Sequence, residues 1–155
     1  MIMKRIMLFF TVLFCGAYFT LFAQSAEKMT ETISAKEITF SQAAYFAAAW
    51  RGLINDDASG KEALLQLEKE GIWSVKAAPE DTVNLKQFSA LCLKAWNIKG
   101  GLLYSLTHSD RYAFRELQAR KLLSRTDDPE KKVSGREALR IFMRCSEIAE
   151  GEGSV

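Results

Sequence analysis

Three times along this chain a β-branched residue is followed by a polar residue able to cap a helix, and three positions beyond that cap stands Gln or Glu. The three places are Ile38-Thr39 with Gln42, Val83-Asn84 with Gln87, and Val133-Ser134 with Glu137. In such a capping box the first side chain accepts from an orphan backbone N–H of the first turn, and the second reaches back to the N–H of the cap. Three helices are therefore expected to start at equivalent points. Behind each cap the apolar residues recur at helical spacing: Ala43, Phe46, Ala47 and Trp50; Phe88, Leu91, Cys92 and Ala95; Ala138, Ile141, Phe142 and Cys145. Each helix thus carries one stripe for a shared core.

A second kind of helix precedes two of these caps. Ser59 with Glu62 opens "SGKEALLQLEKEG", where Gly71 is placed to stop the helix, and the counterpart is "SDRYAFRELQARKLL", residues 109–123. Pro79 and Pro129 stand in the links "KAAPEDT" and "TDDPEKK" and keep the two helix types from merging. Residues 112–148 slide over 62–98 without a gap, pairing Ala63 with Ala113, Leu67 with Leu117, Pro79 with Pro129, Glu80 with Glu130 and Val83 with Val133. "ITFSQAAYFAAAW", residues 38–50, reads as a truncated copy upstream. No alternating strand pattern appears, so the expected fold is all-α, with two full and one partial helix-link-helix unit over residues 38–149.

The N-terminus follows another logic. Lys4 and Arg5 precede an uncharged apolar run from Ile6 to Phe22, the layout of a secretory signal. The expected mature chain begins at Gln24, with 1–23 as signal peptide, 24–37 as a flexible linker and 150–155 as a flexible tail. An uncleaved membrane anchor is the alternative, although the run is shorter than the about 20 residues a span needs. A lipid on Cys15 would want a small residue where Phe14 stands. Removing 1–23 leaves 19 basic side chains against 19 acidic ones, which removes the simplest support for a nucleic-acid partner. The balance is uneven, however: residues 111–145 hold ten Lys or Arg and five Asp or Glu.

The segments "LQLEKEGIW...APEDTVNLKQFSALCLKAW" and "ELQARKLL...DPEKKVSGREALRIFMRC" resemble the S-layer homology repeat: a helix ending near Gly-Ile, a Pro-bearing link, then Val, a polar cap, a basic residue and Gln or Glu. With "ITFSQAAYFAAAW" the resemblance covers about residues 38–148. It implies a pseudo-threefold helical prism that anchors an exported protein to acidic cell-wall polysaccharide, the basic residue at the start of each capped helix lining a groove. Those residues are Lys86 and Arg136, with Ser41 at the first copy. The link "SVKAAPEDT" is shorter than the family's and lacks its Gly-Tyr and Asp-Gly-Thr-Phe run, so a kept fold with a reduced sugar site is also implied.

The expected ligand-binding set is Lys86, Arg136, Arg140 and Trp73. Arg136, Arg140 and Arg144 follow one another at four-residue steps, able to clamp an anionic polymer or simply to form a solvated face. Of the tryptophans, Trp50 falls on a core stripe and Trp73, just past Gly71, is the expected exposed ring for stacking on a sugar. His108, the single histidine, is expected in an exposed loop and has no partners spaced for a metal. Asp56-Asp57 and Asp127-Asp128 read as solvated turn residues. No Gly-x-Ser-x-Gly elbow or Gly-rich phosphate loop occurs. No enzyme, cofactor or metal is therefore expected. The function expected is a cell-envelope binding or anchoring module in the periplasm or on the cell surface. Its partner is an envelope polysaccharide or, alternatively, an envelope protein docked on a scaffold; membrane contact arises only if the signal segment stays. Cys92 and Cys145, the two cysteines of the mature chain, are either one disulfide or two small buried apolar residues.

Overall fold

The computed structural model describes residues 27–152, which fold into seven helices with no strand among them. The apolar run at 6–22, and with it the export reading, lies outside the described residues. The helices are α1 (27–34), α2 (Phe40–Trp50), α3 (Gly60–Lys69), α4 (Leu85–Ala95), α5 (Leu102–Thr107), α6 (Asp110–Ala119) and α7 (Gly135–Glu152). The all-α expectation holds.

The caps form where the sequence places them. Thr39, Ser59 and Asn84 accept from the N–H groups of Gln42, Glu62 and Gln87, and each of those side chains accepts from the N–H of its cap. At α7 the Ser134 hydroxyl accepts from the Glu137 N–H at 3.3 Å, while the Glu137 carboxylate takes Lys131 Nζ at 2.9 Å.

The residues just before the three caps meet. Ile38 N–H donates to the Val133 carbonyl (2.9 Å), Val133 N–H to Val83 (3.1 Å), and Val83 N–H to Ile38 (3.0 Å), which closes a ring of three bonds. Ile38, Val83 and Val133 are at most 1% exposed, so unpaired amides at this point would be costly. A second set of bonds runs round the three units in the opposite direction. Phe40 N–H donates to Asp81, Leu85 N–H to Lys131, and Gly135 N–H to Ala35. Each capped helix thereby has an orphan first-turn donor satisfied by the segment leading into a neighbouring capped helix. Pro79 and Pro129 add their carbonyls, accepting from Ser41 and Lys86.

Below this ring α2, α4 and α7 surround the core. Phe142 of α7 lies between Phe88 (centroids 4.7 Å apart) and Trp96 (4.9 Å) of the α4 region. Removing a buried ring such as Phe88, 0% exposed, would cost about 3–5 kcal/mol. α3 packs along α2 and α6 along α4, turning Ala63 and Leu67, or Ala113, Phe114 and Leu117, inward.

Four helices end alike. Gly52, Gly71, Asn97 and Lys121 take positive φ, and the next residue, Leu53, Ile72, Ile98 or Leu122, donates its N–H back to the helix at 2.9 Å. This is the Schellman arrangement, which folds an apolar residue back against the last turn.

Three expectations need correction. Residues 27–34, assigned to a flexible linker, form α1, whose Thr32 is 5% exposed and whose end presses on Gly135. Trp50, expected in the core, is 58% exposed, because the last residue of α2 lies at the rim. Trp73, expected exposed, is 5% exposed and packs on Phe40 with centroids 5.3 Å apart. The turn at Gly71 sends the chain back over α3 rather than outward. α5, which the helical pattern does not announce, fills the span after Gly100 and Gly101.

Candidate groove between α4 and α6

The expected site residues are not gathered in one place. Lys86, second residue of α4, is held at the helix start by its N–H to the Pro129 carbonyl and pairs through Nζ with the Glu130 carboxylate. It lines a groove of about 400 Å³ with Arg111 and Arg115 of α6, Arg125 of the following turn, and the acidic pair Asp127 and Glu130. Phe114 and Pro129 give it an apolar floor.

The local fold fixes these charges. Arg111 and Arg115 are four residues apart and so share one face of α6. The turn carrying Arg125 is pinned by the Asp127 carboxylate, which accepts from Ser124 N–H at 2.8 Å, and Asp128 similarly accepts from Glu130 N–H at 2.9 Å. Glu130 also accepts from the Asn84 amide at 2.9 Å. Both carboxylates of the groove are thus engaged, whereas Arg111, Arg115 and Arg125 have no ion-pair partner among the described residues. The result is a shallow channel with uncompensated positive charge over an apolar floor, suited to a flexible anionic chain held by charge-assisted hydrogen bonds.

At the start of α6 the Asp110 carboxyl is pushed above its ordinary range by burial, with Lys94 and Lys86 pulling the other way. Burial and Asp110 together raise the Tyr104 phenol. His108 is exposed, as expected, in a left-handed turn that ends α5, its ring edge-on to Tyr104 at 5.6 Å.

Trp73 lines a different hollow, on the outer side of α3, with Lys61, Leu65 and Glu68. Arg136 and Arg140 are exposed along α7 and line neither of these grooves. Arg111, Arg115 and Arg125 were not singled out from the sequence. The surplus of basic residues over 111–145 was the signal for them, and the four-residue spacing of the first two was its readable part.

The paired aspartates act as turn formers: Asp56 and Asp57 offer carbonyls to Lys28 Nζ at 3.3 Å, and Asp127 and Asp128 cap the turn described above. No group of three His, Cys, Asp or Glu side chains gathers among the described residues. Burial pushes the Cys92 thiol well up, and its hydrogen bond with Cys145 adds to the shift, so it is a poor nucleophile in the folded protein. No helix among the described residues is long and apolar enough to cross a membrane.

No protein-family model matches the chain, and no curated protein matches it.

Proposed function

We propose that this chain is an exported, non-catalytic binding module that attaches to an acidic glycan of the cell envelope through the groove between α4 and α6. The observation that carries the reading is the gathering of Lys86, Arg111, Arg115 and Arg125 around a floor of Phe114 and Pro129, with only Asp127 and Glu130 opposing them. Arginine forks match the planar carboxylates of acidic sugars, and an apolar floor suits the C–H face of a pyranose. The balanced charge of the chain after residue 23 makes a long nucleic-acid track a weaker fit than a local anion-binding channel. The resemblance of the capped segments to S-layer homology repeats supports the same reading, with Lys86 as the position shared by the resemblance and the groove.

Retention on an acidic polysaccharide such as polygalacturonate, and on purified envelope material, tests it. Binding should weaken as salt rises, and Arg111→Ala with Arg115→Ala should weaken it about tenfold, a loss of about 1.4 kcal/mol. Arg136→Ala with Arg140→Ala should leave it nearly unchanged, since neither side chain lines the groove. Retention indifferent to salt and to the groove substitutions would remove the glycan reading in favour of a protein-interaction scaffold.

A further inference from the structure

The three capped helices share a backbone plan but not a covering. Counted from their caps, Ala44, Tyr45 and Ala48 of α2 correspond to Ser89, Ala90 and Leu93 of α4 and to Leu139, Arg140 and Met143 of α7. The first two sets are buried throughout, at 8% exposure or less. In α7 Arg140 is exposed, Leu139 is half-buried and Met143 is 50% exposed. α2 has α3 along it and α4 has α6. α7 packs on α4, and α1 meets it at its first residue, where Gly135 lies against Thr32.

The repeat spacing says which segment of the chain would lie along this face. The caps Ser59 and Ser109 stand 25 residues before Asn84 and Ser134, so the corresponding helix of the first unit would be counted to residues 15–24. That stretch falls within or beside the segment expected to be removed on export.

The bare face is also charged differently from its sisters. Arg136, Arg140 and Arg144 run along it at four-residue steps, and none has an ion pair among the described residues. The equivalents of Arg140 in α2 and α4 are Tyr45 and Ala90, both buried, Tyr45 with Lys28 of α1 over its ring and its hydroxyl on the Asp56 carbonyl.

We infer that the open face of α7, centred on Leu139, Arg140 and Met143, receives one amphipathic helix from a partner protein, standing where α3 and α6 stand on α2 and α4. The covering helices of this molecule show the apolar stripe required: Ala63 and Leu67, or Ala113 and Leu117, four residues apart and 0% exposed. The arginine row adds the second requirement, an excess of carboxylates beside that stripe. This site is separate from the glycan groove, but the inference rests on the export part of the proposed function, the removal of residues 1–23.

The molecule supplies its own probes. A peptide of residues 57–73 carries the stripe with four acidic and two basic side chains, while a peptide of residues 107–123 carries it with two acidic and four basic ones. Each is titrated, by fluorescence anisotropy, against the protein as cells process it. The acidic peptide should bind saturably and at least tenfold more tightly than the basic one. Arg140→Glu with Met143→Glu, both at exposed positions, should reduce that binding at least tenfold while circular dichroism and retention on acidic polysaccharide stay as they were. Absence of binding, equal binding of the two peptides, or binding indifferent to the double substitution would overturn the inference. So would a concentration-dependent dimer in sedimentation that the double substitution dissolves, since it would assign the face to a second copy of the chain.

Discussion

α3 covers α2 much as α6 covers α4, yet the two pairs differ where the covering helix begins. Gly60, the first residue of α3, comes so near α2 that a Cβ on it would stand 2.7 Å from both the Cβ and the carbonyl oxygen of Ser41. At the corresponding positions of the second pair stand Asp110 and Lys86, the carboxyl partly withdrawn from water and the ammonium shared with Glu130. One junction is closed by two small residues in close approach, whereas the other carries a partly buried carboxyl and an ammonium that is paired elsewhere. The choice sets the character of the adjacent groove. Beside α2 the lining is Lys28 with Glu31 and Glu80 among hydroxyls; beside α4 it is Lys86 with three arginines. A common backbone plan therefore leaves room for one groove to be near neutral and the other basic.

The largest expected break between the pairs lies in their seams with α7. Cys92 of α4 neighbours Cys145 of α7, both 0% exposed, and the position of Cys92 in α2 is Ala47. Phe142 lies between Phe88 and Trp96, one turn to either side of Cys92, which fixes the facing of the two sulfurs independently. Refolding with glutathione disulfide should convert the two thiols to one bond, with two protons and two electrons passing to the glutathione disulfide, which is reduced to two thiols. Closing a loop of this length should add about 4 kcal/mol in the chain-entropy model. The check is mass after alkylation of the unreduced, unfolded chain, together with a rise in Tm that Cys145→Ala abolishes. Two alkyl groups on the refolded protein would leave the sulfurs as small buried apolar groups.

Next in size is the glycine contact. Gly60→Ala forces Cβ against backbone as well as side chain, so the helices must part, at a cost of about 1–3 kcal/mol. Asp110→Ala at the equivalent place meets no such wall and should change stability by less than about 0.5 kcal/mol. Thermal unfolding separates the two, since each kcal/mol moves Tm by about 3–5 °C in a domain of this size. Equal losses would mean that the two junctions are closed in the same way after all.

What could be read without coordinates follows from range. The caps at Thr39, Ser59 and Asn84 and the stop at Gly71 are set by residues within one turn of each other, and the sequence displays all of them. The facing of Phe88 on Phe142 follows from the stripes once the helices are granted. Trp50 and Trp73 were misplaced because periodicity gives the side of a helix a residue occupies and not how far along that helix the core extends. Trp50 overshoots the core, and Trp73 is returned to it by the turn that follows α3. α1 was missed because its burial depends on contact with Gly135, which stands near the other end of the chain. The groove lay further out of reach, since Lys86 meets Arg111, Arg115 and Arg125 only when α6 lies along α4. Their charge was visible as a surplus, but their meeting place was not.

The smallest expected effect isolates a single torsion. α3 and α6 end in the same Schellman turn, with Gly71 at φ 68° in one and Lys121 at φ 61° in the other. The returning bonds are also the same: Ile72 and Leu122 donate to Leu67 and Leu117, each at 2.9 Å. A side chain in the left-handed region costs about 1–2 kcal/mol, and glycine avoids that cost but has more freedom to lose on folding, about 0.5–1 kcal/mol. Lys121→Gly should therefore stabilise the protein by roughly 0.5–1 kcal/mol. A Cβ at Gly71 would meet nothing within 4 Å, so Gly71→Lys should destabilise by a similar amount through the torsion alone. The exchanged double variant should then unfold at nearly the wild-type Tm, because the two turns are distant and their effects should add. A Lys121→Gly protein less stable than the wild type would show that the Lys121 side chain contributes more than its torsion costs, and that the two helix ends are not equivalent.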